Sequence, residues 1–324
     1  MSHELTTRTN GRTEMAFVGE TPWHGLGQRL EEGASIETWT QAAGMDWRVQ
    51  RSNVRYHTSH DGSGEPFFWD DNHVLFRSDT KAPLGLVSKD YKTVQPRQVL
   101  EFFRDLVGAN GYQLHTAGTL FGGRRFWALA RVCADVPVVG DDRIGGFLLL
   151  SSSCDGTART EARETTVRVV CNNTLTMAVS GKPAAVAVSH RSRFDAEAVK
   201  RRLGLARENF GQFVEAARVL SGIRLGARSA EDFVAGLLRD TGTVTAKDVE
   251  KSDAFGRIVA LFDGSAMGGR LAGANGTAWG LLNAVTEYVD HGRAKTVDGR
   301  LASAWFGPGE QLKSEAFRRA LTLA

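Results

Sequence analysis

The residues with the most evident chemistry in this sequence are arginines around two predicted β-hairpins. Their side chains are always charged at neutral pH, and no recognisable set of catalytic residues accompanies them. These arginines are Arg124 and Arg125 at the turn of one hairpin, and Arg159, Arg163 and Arg168 in the turn and second strand of the other. The arrangement favours binding of an extended anion over the making or breaking of bonds.

A second group of cations follows the hairpins. Residues 181–208 include seven basic and three acidic residues, an excess of four in a chain whose net charge is only +3. The candidates for anion binding in this basic block are Lys182, Arg191, Arg193, Lys200, Arg201 and Arg202. Such a block steers a polyanion electrostatically, although a solvated helix face gives the same pattern.

Four aromatic residues lie close in sequence to the hairpin arginines: Tyr112, Phe121, Phe126 and Trp127. In sites for single-stranded nucleic acid, cations bind the phosphates and aromatic rings stack on the bases. The combination predicts a groove for single-stranded nucleic acid. The alternative is an ordinary sheet edge, with the arginines in solvent and the aromatic residues in the core.

Histidines give no clear catalytic or metal-binding pattern. His57, His60 and Asp61 fall at a predicted hairpin tip, and His73 follows, but no second cluster has metal-ligand spacing. His24, in the segment TPWHGLG, has no evident partner for acid–base catalysis. We expect an exposed turn at the first site and a packing role for His24.

Cysteine and glycine patterns do not indicate covalent or nucleotide-dependent chemistry. The three cysteines are too widely spaced for a disulfide framework or a zinc site, and Cys171 follows an apolar run typical of a buried thiol. The glycine-rich segment Gly264–Gly276 lacks the Gly-Lys-Ser/Thr ending of a phosphate-binding loop. We therefore predict no catalytic residue, no metal ion and no cofactor.

The elements that position the arginines follow from the hydrophobic pattern. Alternating segments from about 45 to 180 predict a mainly antiparallel sheet, with one hairpin turning at Phe121–Gly123. Phe147–Leu150 is apolar on both faces, as expected of a central strand covered on both sides. Asn172 or Asn173 is expected to cap a helix directly after the second hairpin.

The sequence after Pro183 is mostly helical in pattern. Apolar residues from Val199 to Leu220 alternate at spacings of four and three, which predicts a helix with a seam for a neighbouring helix of the same chain or another copy. Further helices are predicted at Ala230–Arg239, Asp253–Phe262, Thr277–Val289 and Ser314–Leu323.

The predicted fold class is α+β, with a central mainly antiparallel sheet, a β-β-β-α core and a helical C-terminal region. The predicted organisation is a disordered tail over 1–20, an α+β sheet domain over 21–181 and a helical region over 182–324. The sequence has no apolar run of about 18 residues, so we expect no transmembrane helix. The polar N-terminus and the cysteine usage favour the reducing cytoplasm.

Several segments together resemble the phage/plasmid-like protein family, whose defining domain is labelled as of unknown function. They are TPWHGLG, LVSKDYKTVQPRQVLEFF, LFGGRRFWALARV, LLLSSSCDGT, TTVRVVCNNTL and TAWGLLNAVTEYVDH, spread from about Pro22 to the end. The family's usual serine-histidine-aspartate-glycine turn is Ser153-Cys154-Asp155-Gly156 here. The resemblance implies a bacterial, phage or plasmid origin, and the cysteine argues against a histidine-dependent role for the turn.

The predicted topology is also similar to the core of single-strand DNA annealing proteins. That similarity implies an oligomer whose basic groove, formed by the arginines and the basic block above, binds single-stranded DNA through its backbone. Single-stranded DNA annealing in phage or plasmid recombination, in the bacterial cytoplasm, is the expected function. A phage exonuclease or a host single-strand binding protein is an expected partner.

Two alternatives come from other classes of protein. One is an interaction protein, a host-takeover or anti-defence factor, whose basic face meets a protein or duplex DNA. The other is a metal-dependent nucleic-acid-processing enzyme using Asp155, Glu161, Glu164 or the histidines near His57. The carboxylates show no clear constellation in the sequence, which disfavours the enzyme.

Overall fold

The computed structural model of the chain describes residues 6–19, 25–110, 112–168, 173–176, 185–188, 206–244, 249–292, 303–305 and 307–324. The six candidate cations of the basic block, which fall between Lys182 and Arg202, lie outside the described residues, as do His24, Cys171 and Asn172. For Arg168 only the backbone is described.

The strands of the described ranges form two sheets. They are β1 (Met15–Val18), β2 (Gln28–Leu30), β3 (Val49–Tyr56), β4 (Phe67–Arg77), β5 (Pro83–Ser88), β6 (Gln113–Leu120), β7 (Arg125–Arg131), β8 (Val136–Val139), β9 (Asp142–Ser153), β10 (Thr160–Arg168), β11 (Asn173–Thr176) and β12 (Ala185–Val188). The main sheet has the order β2-β1-β6-β7-β9-β10-β11, with β8 added to β9 and β12 to β10. The small sheet has the order β3-β4-β5.

Two of the described helices come before strand β6, and five come after strand β12. They are α1 (Ile36–Ala42), α2 (Pro96–Asn110), α3 (Ala206–Gly222), α4 (Ala227–Asp240), α5 (Asp253–Ala260), α6 (Ala278–Glu287) and α7 (Pro308–Ala320). Wider π-type turns at Leu261–Ser265 and Tyr288–Gly292 extend α5 and α6. None of the described helices combines the length and the apolar composition that crossing a membrane requires.

The α+β class and the mainly antiparallel sheet are confirmed. Every pairing in the two sheets is antiparallel except that of β1 with β2. The hairpin of β6 and β7 turns at Phe121–Gly123 as predicted. Strand β9 lies between β7 and β10, and Phe147–Leu150 is buried on both faces, as predicted.

Two sequence predictions are wrong at the ends of the main sheet. Met15–Val18 is not a disordered tail: β1 pairs with β6, and its side chains are mostly buried. Asn173 does not cap a helix, because Asn173–Thr176 pairs with Thr165–Arg168 as β11. In both places a short segment satisfies the backbone hydrogen bonds of a strand that would otherwise be an open edge.

Helices cover both faces of the main sheet. Trp39 of α1 and Phe103 of α2 belong to one apolar cluster with Leu148 and Leu150. On the opposite face Leu149 packs in a separate cluster that Trp305 borders. The two faces of β9 therefore contribute to two different cores, which explains its continuous apolar sequence.

The predicted seam of α3 faces helices of the same chain. Phe213 lies with its ring centroid 5.1 Å from that of Phe317 and 6.3 Å from that of Trp279. Phe210, Ala217 and Leu220 are buried as well. Of the two partners that the sequence left open for this seam, the described residues use the intramolecular one.

Candidate nucleic-acid interface

The two hairpin turns that carry the predicted arginines lie side by side at one end of the main sheet. The backbone N–H of Cys154 donates to the carbonyl of Arg124 at 2.8 Å, and Arg125 lies opposite Ser153. The turn of β9 and β10 is fixed by Asp155, whose carboxylate accepts from the N–H and the hydroxyl of Thr157 at 2.9 and 2.6 Å. The fold thus brings both predicted turns together.

The arginines at this end differ in their exposure. Arg124 and Arg159 are exposed, whereas Arg125 is partly buried. Burial lowers the pKa of Arg125, and the charge of Asp155 opposes that shift. Arg124 and Arg159 are therefore the described arginines of this set that remain most accessible to a phosphate.

Arg163 does not belong to an exposed groove. Its side chain is 14% exposed and forms ion pairs of 2.7 Å with Glu161 and 3.0 Å with Glu310. It also donates to the backbone carbonyl of Trp305 at 3.3 Å. Two carboxylates already compensate this guanidinium, so it joins the sheet to the C-terminal helices instead of binding a ligand.

Three of the four aromatic residues near the arginines belong to the core. Phe126 and Trp127 are fully buried and Tyr112 is nearly so. Trp127 packs edge-on against Trp305, with ring centroids 4.8 Å apart. The alternative that the sequence left open is correct for these three buried rings, which cannot stack on bases. The fourth residue, Phe121, is partly buried against an apolar cluster.

Exposed aromatic side chains lie instead on the small sheet. Tyr56, Phe67 and Trp69 are 49%, 49% and 47% exposed. Tyr56 and Phe67 face each other across β3 and β4 and stack with centroids 5.7 Å apart at 27°. Trp69 lies opposite Val54, two residues along each strand, so the three rings share one face. We call Tyr56, Phe67 and Trp69 the aromatic row.

The face that carries the aromatic row points away from the main sheet. Its further residues, by register, are Val74, Phe76 and Leu86, all at least partly exposed. The opposite face holds the buried Val49 and Leu75. It also holds Phe68, which is 54% exposed and stacks under the guanidinium of Arg55 at 5.0 Å.

An irregularity in β4 separates the aromatic row from the anchored part of the small sheet. Residues 70–72 are inserted between the pairs Val54–Trp69 and Asn53–His73. Such a bulge bends a strand and changes the direction of its side chains. Beyond it, Arg77 fixes the small sheet to the residue before β1 through a buried ion pair with Glu14, whose shortest N–O distance is 2.7 Å.

The carboxylates considered for an enzyme have local partners. Glu161 pairs with Arg163, and Asp155 holds its own turn. Glu164 is buried, accepts from the amide of Asn209 at 2.6 Å, and has a pKa raised by burial. Among the described residues no group of three or more His, Cys, Asp or Glu side chains is placed to hold a metal ion.

The histidines near His57 are part of an exposed loop. His57 and His60 are exposed, and Asp61 accepts hydrogen bonds from the hydroxyl and N–H of Ser63 at 2.7 and 3.0 Å. These bonds lower the pKa of Asp61 to about 2. The loop matches the exposed turn predicted for this segment.

Cys154, in the Ser-Cys-Asp-Gly turn, is a buried thiol. It donates to the carbonyls of Gly123 and Arg124 at 3.3 and 3.4 Å. Burial raises its pKa to about 12. A thiol in this state is a poor nucleophile, and its contacts stabilise the two adjacent turns.

Comparison with protein families matches residues 83–305 to a domain of unknown function (DUF932). The chain belongs to the DUF932 family. The DUF932 match includes both arginine turns and most of the helices, whereas β1 to β4, and with them the aromatic row, precede it. No curated protein and no solved structure matches the chain.

The sequence offered one signal for the aromatic row. The run Phe67-Phe68-Trp69 places aromatic residues on both faces of a strand and follows the glycine-rich segment HDGSGEP. A strand beside a hairpin tip cannot be covered on both faces by a short loop. Exposure of at least one aromatic face was therefore predictable, although it was missed.

Proposed function

We propose that this DUF932 protein binds single-stranded DNA and promotes annealing of complementary strands. The observation that carries the proposal is the aromatic row, three large rings each about half exposed on one face of a projecting hairpin. Monomeric proteins rarely expose several large aromatic side chains together without a binding role. Unpaired bases offer flat apolar surfaces that stack on such rings regardless of sequence.

Phosphates require cations near the bases. Arg124 and Arg159 are exposed at the end of the main sheet, where strand β5 approaches the turn at Asp155. The predicted basic block supplies further candidates: Lys182, Arg191, Arg193, Lys200, Arg201 and Arg202. Phosphate contacts make binding dependent on salt, and stacking makes it selective for single strands.

Annealing needs no general base and no cofactor. The protein has to hold bases so that a second strand can test them, and stacking on one ring face leaves the pairing edges accessible. The resemblance to the phage/plasmid-like family supports a role in phage or plasmid recombination. Within the same proposal, the protein acts as an oligomer in the bacterial cytoplasm, with a phage exonuclease or a host single-strand binding protein as partner.

The decisive experiment compares the two faces of the hairpin. Trp69→Ala and Phe67→Ala should each weaken binding of an oligothymidylate by roughly 5- to 150-fold, as expected for one lost base stack. Phe68→Ala is the matched control, because this neighbour is equally exposed but lies on the opposite face. Filter binding with single-stranded and duplex DNA over a salt series gives the affinities.

Two results would contradict the proposal. One is equal affinity for single-stranded and duplex DNA, and the other is an equal effect of the Phe68 and Trp69 variants. Annealing is then measured separately, as the rate at which complementary labelled oligonucleotides pair. A protein that binds single strands without increasing this rate would be a binding protein and not an annealing protein.

A further inference from the structure

The outer edge of β3 presents backbone groups in a regular pattern. The carbonyl of Arg48 accepts from the N–H of Ser78 at 2.9 Å, and the N–H of Arg48 donates to the Ser78 hydroxyl at 2.8 Å. The N–H and C=O of one residue point to the same side of a strand, and the side alternates along the chain. The backbone groups of Val49, Arg51, Asn53 and Arg55 therefore point away from β4.

The first of these outward positions already binds an amide. The side-chain oxygen of Gln95 accepts from the N–H of Val49 at 2.8 Å, and the Gln95 amide nitrogen donates to the Val49 carbonyl at 3.1 Å. This pair of bonds is the one that a residue of an added strand would make. Gln95 thus occupies the first position of a strand-binding edge and ends the edge on that side.

The next three outward positions are open. Arg51, Asn53 and Arg55 are exposed. Within the described part of the chain, their outward backbone groups have one contact, a long bond of 3.4 Å from the Ser52 hydroxyl to the Asn53 carbonyl. Unpaired groups of this kind form a template for one more strand.

We propose that this edge of β3 binds an extended, acidic segment of a partner protein as a fourth strand of the small sheet. The backbone groups of Arg51, Asn53 and Arg55 supply the affinity through main-chain hydrogen bonds. The side chains of Arg51 and Arg55 supply the selectivity, because they share the face opposite the aromatic row. The proposal does not depend on DNA binding.

Both arginines are held in position for this role. Arg51 donates to the carbonyl of Tyr91 at 2.9 Å, and the guanidinium of Arg55 lies 5.0 Å from the ring centroid of Phe68. Each guanidinium can still donate hydrogen bonds to a bound peptide, because it has five N–H groups. Acidic residues at alternate positions of the added strand would lie beside these cations.

The edge disfavours a second copy of the same strand. If two copies of β3 paired about Asn53, Arg51 of one would lie directly opposite Arg55 of the other. Like charges in that position destabilise a strand pair. On the other face, Val54 and Tyr56 favour apolar residues at the intervening positions of the partner. The preferred segment alternates acidic and apolar residues.

The test uses the whole chain and a labelled eight-residue peptide of alternating glutamate and valine, followed by fluorescence anisotropy. N-methylation of the alternate peptide nitrogens that face β3 should weaken binding at least tenfold. N-methylation of the other set, which faces away, should leave it unchanged. Asn53→Pro should also weaken binding at least tenfold, whereas Asn53→Ala, which keeps the N–H, should not.

Charge is tested by reversal. The double variant Arg51→Glu with Arg55→Glu should no longer bind the glutamate peptide. It should instead bind a peptide in which lysine replaces glutamate. The proposal is overturned if neither set of N-methyl groups matters, if the native protein binds both peptides equally, or if no binding occurs at millimolar peptide. A dimer that Asn53→Pro abolishes would assign the edge to a second copy, and would also overturn it.

Discussion

Arg77 joins three parts of the chain through one side chain. It forms a bidentate pair with Glu14 at 2.7 and 3.1 Å, and a second with Asp79 at 2.8 and 3.0 Å. Its guanidinium also lies 4.2 Å from the ring centroid of Trp47. Burial alone would lower the pKa of Arg77, but the hydrogen bonds to Asp79 and Glu14 raise it above its ordinary value. Arg77 is therefore charged in the folded protein.

Arg77→Met should destabilise the protein by about 3 kcal/mol, because Glu14 would remain buried without its main partner. Urea unfolding measures the change. Lys89→Met is the control, since Lys89 and Asp71 form an exposed pair and its removal should have no measurable effect. Equal stability of the two variants would mean that the network around Glu14 adjusts without Arg77.

His115 makes the folded state sensitive to acid. Burial lowers its pKa to about 4, assisted by the charge of Arg131 and opposed by that of Asp135. Between about 6.5 and 4 the unfolded chain binds a proton that the folded chain does not, so stability falls as the pH falls through this window.

His115→Gln should reduce that pH dependence. The slope of the free energy of unfolding against pH should decrease by up to about 1.4 kcal/mol per pH unit, the value for one proton. Urea unfolding at several pH values between 4 and 6.5 provides the slope. A slope that is the same in His115→Gln and in the native protein would argue against His115 as the source of the acid sensitivity.

At the scale of single elements, periodicity predicted more than residue type did. The helical pattern after Pro183 predicts helices that overlap α4 to α7, and the glycines predict the turn at Phe121–Gly123, because both signals are local. The strand β1 has only four residues and offers no period of its own. Its place depends on pairing with β6, about a hundred residues away, which no local pattern encodes.

The candidate site shows the same limit. Trp127 and Trp69 are both aromatic residues of strands that follow a turn, yet one is fully buried and the other is about half exposed. The difference arises because β7 lies inside the main sheet and β4 projects in the small one. Whether a side chain is exposed depends on the order of the strands in the sheet and on the helices that pack against them. Both depend on distant parts of the sequence.

The glycines of two helices give opposite predictions for one substitution. A Cβ atom on Gly280 of α6 would lie 1.8 Å from the carbonyl oxygen of Ala274, whereas nothing lies within 4 Å of the same position on Gly256 of α5. Gly280→Ala should therefore destabilise the protein by about 1–3 kcal/mol through overpacking. Gly256→Ala should stabilise it by about 0.5–1 kcal/mol through helix propensity. Thermal unfolding followed by circular dichroism distinguishes the signs, and two shifts in the same direction would contradict the close approach at Gly280.

At the scale of the whole molecule, the main sheet and the C-terminal helices are joined by polar contacts between distant residues. The indole of Trp279 donates to the buried carboxylate of Asp142 at 2.9 Å. Arg163 pairs with Glu310 at 3.0 Å, and Asn209 donates to Glu164 at 2.6 Å. Because each bond has one partner on the sheet and one on the helices, separation of the two parts would leave buried polar groups unpaired.

These bonds predict that the sheet and the helices unfold together, despite the domain boundary that the sequence indicates at 181–182. Scanning calorimetry should show one transition whose calorimetric and van't Hoff enthalpies agree. Arg163→Met should move that single transition to lower temperature without splitting it, because Glu310 would lose its partner on the sheet. Arg228→Met, which removes an exposed ion pair with Asp232 within α4, should leave it in place. Two transitions in the native protein, with only one of them shifted by Arg163→Met, would instead establish the boundary and show that the contacts between sheet and helices are too weak to couple them.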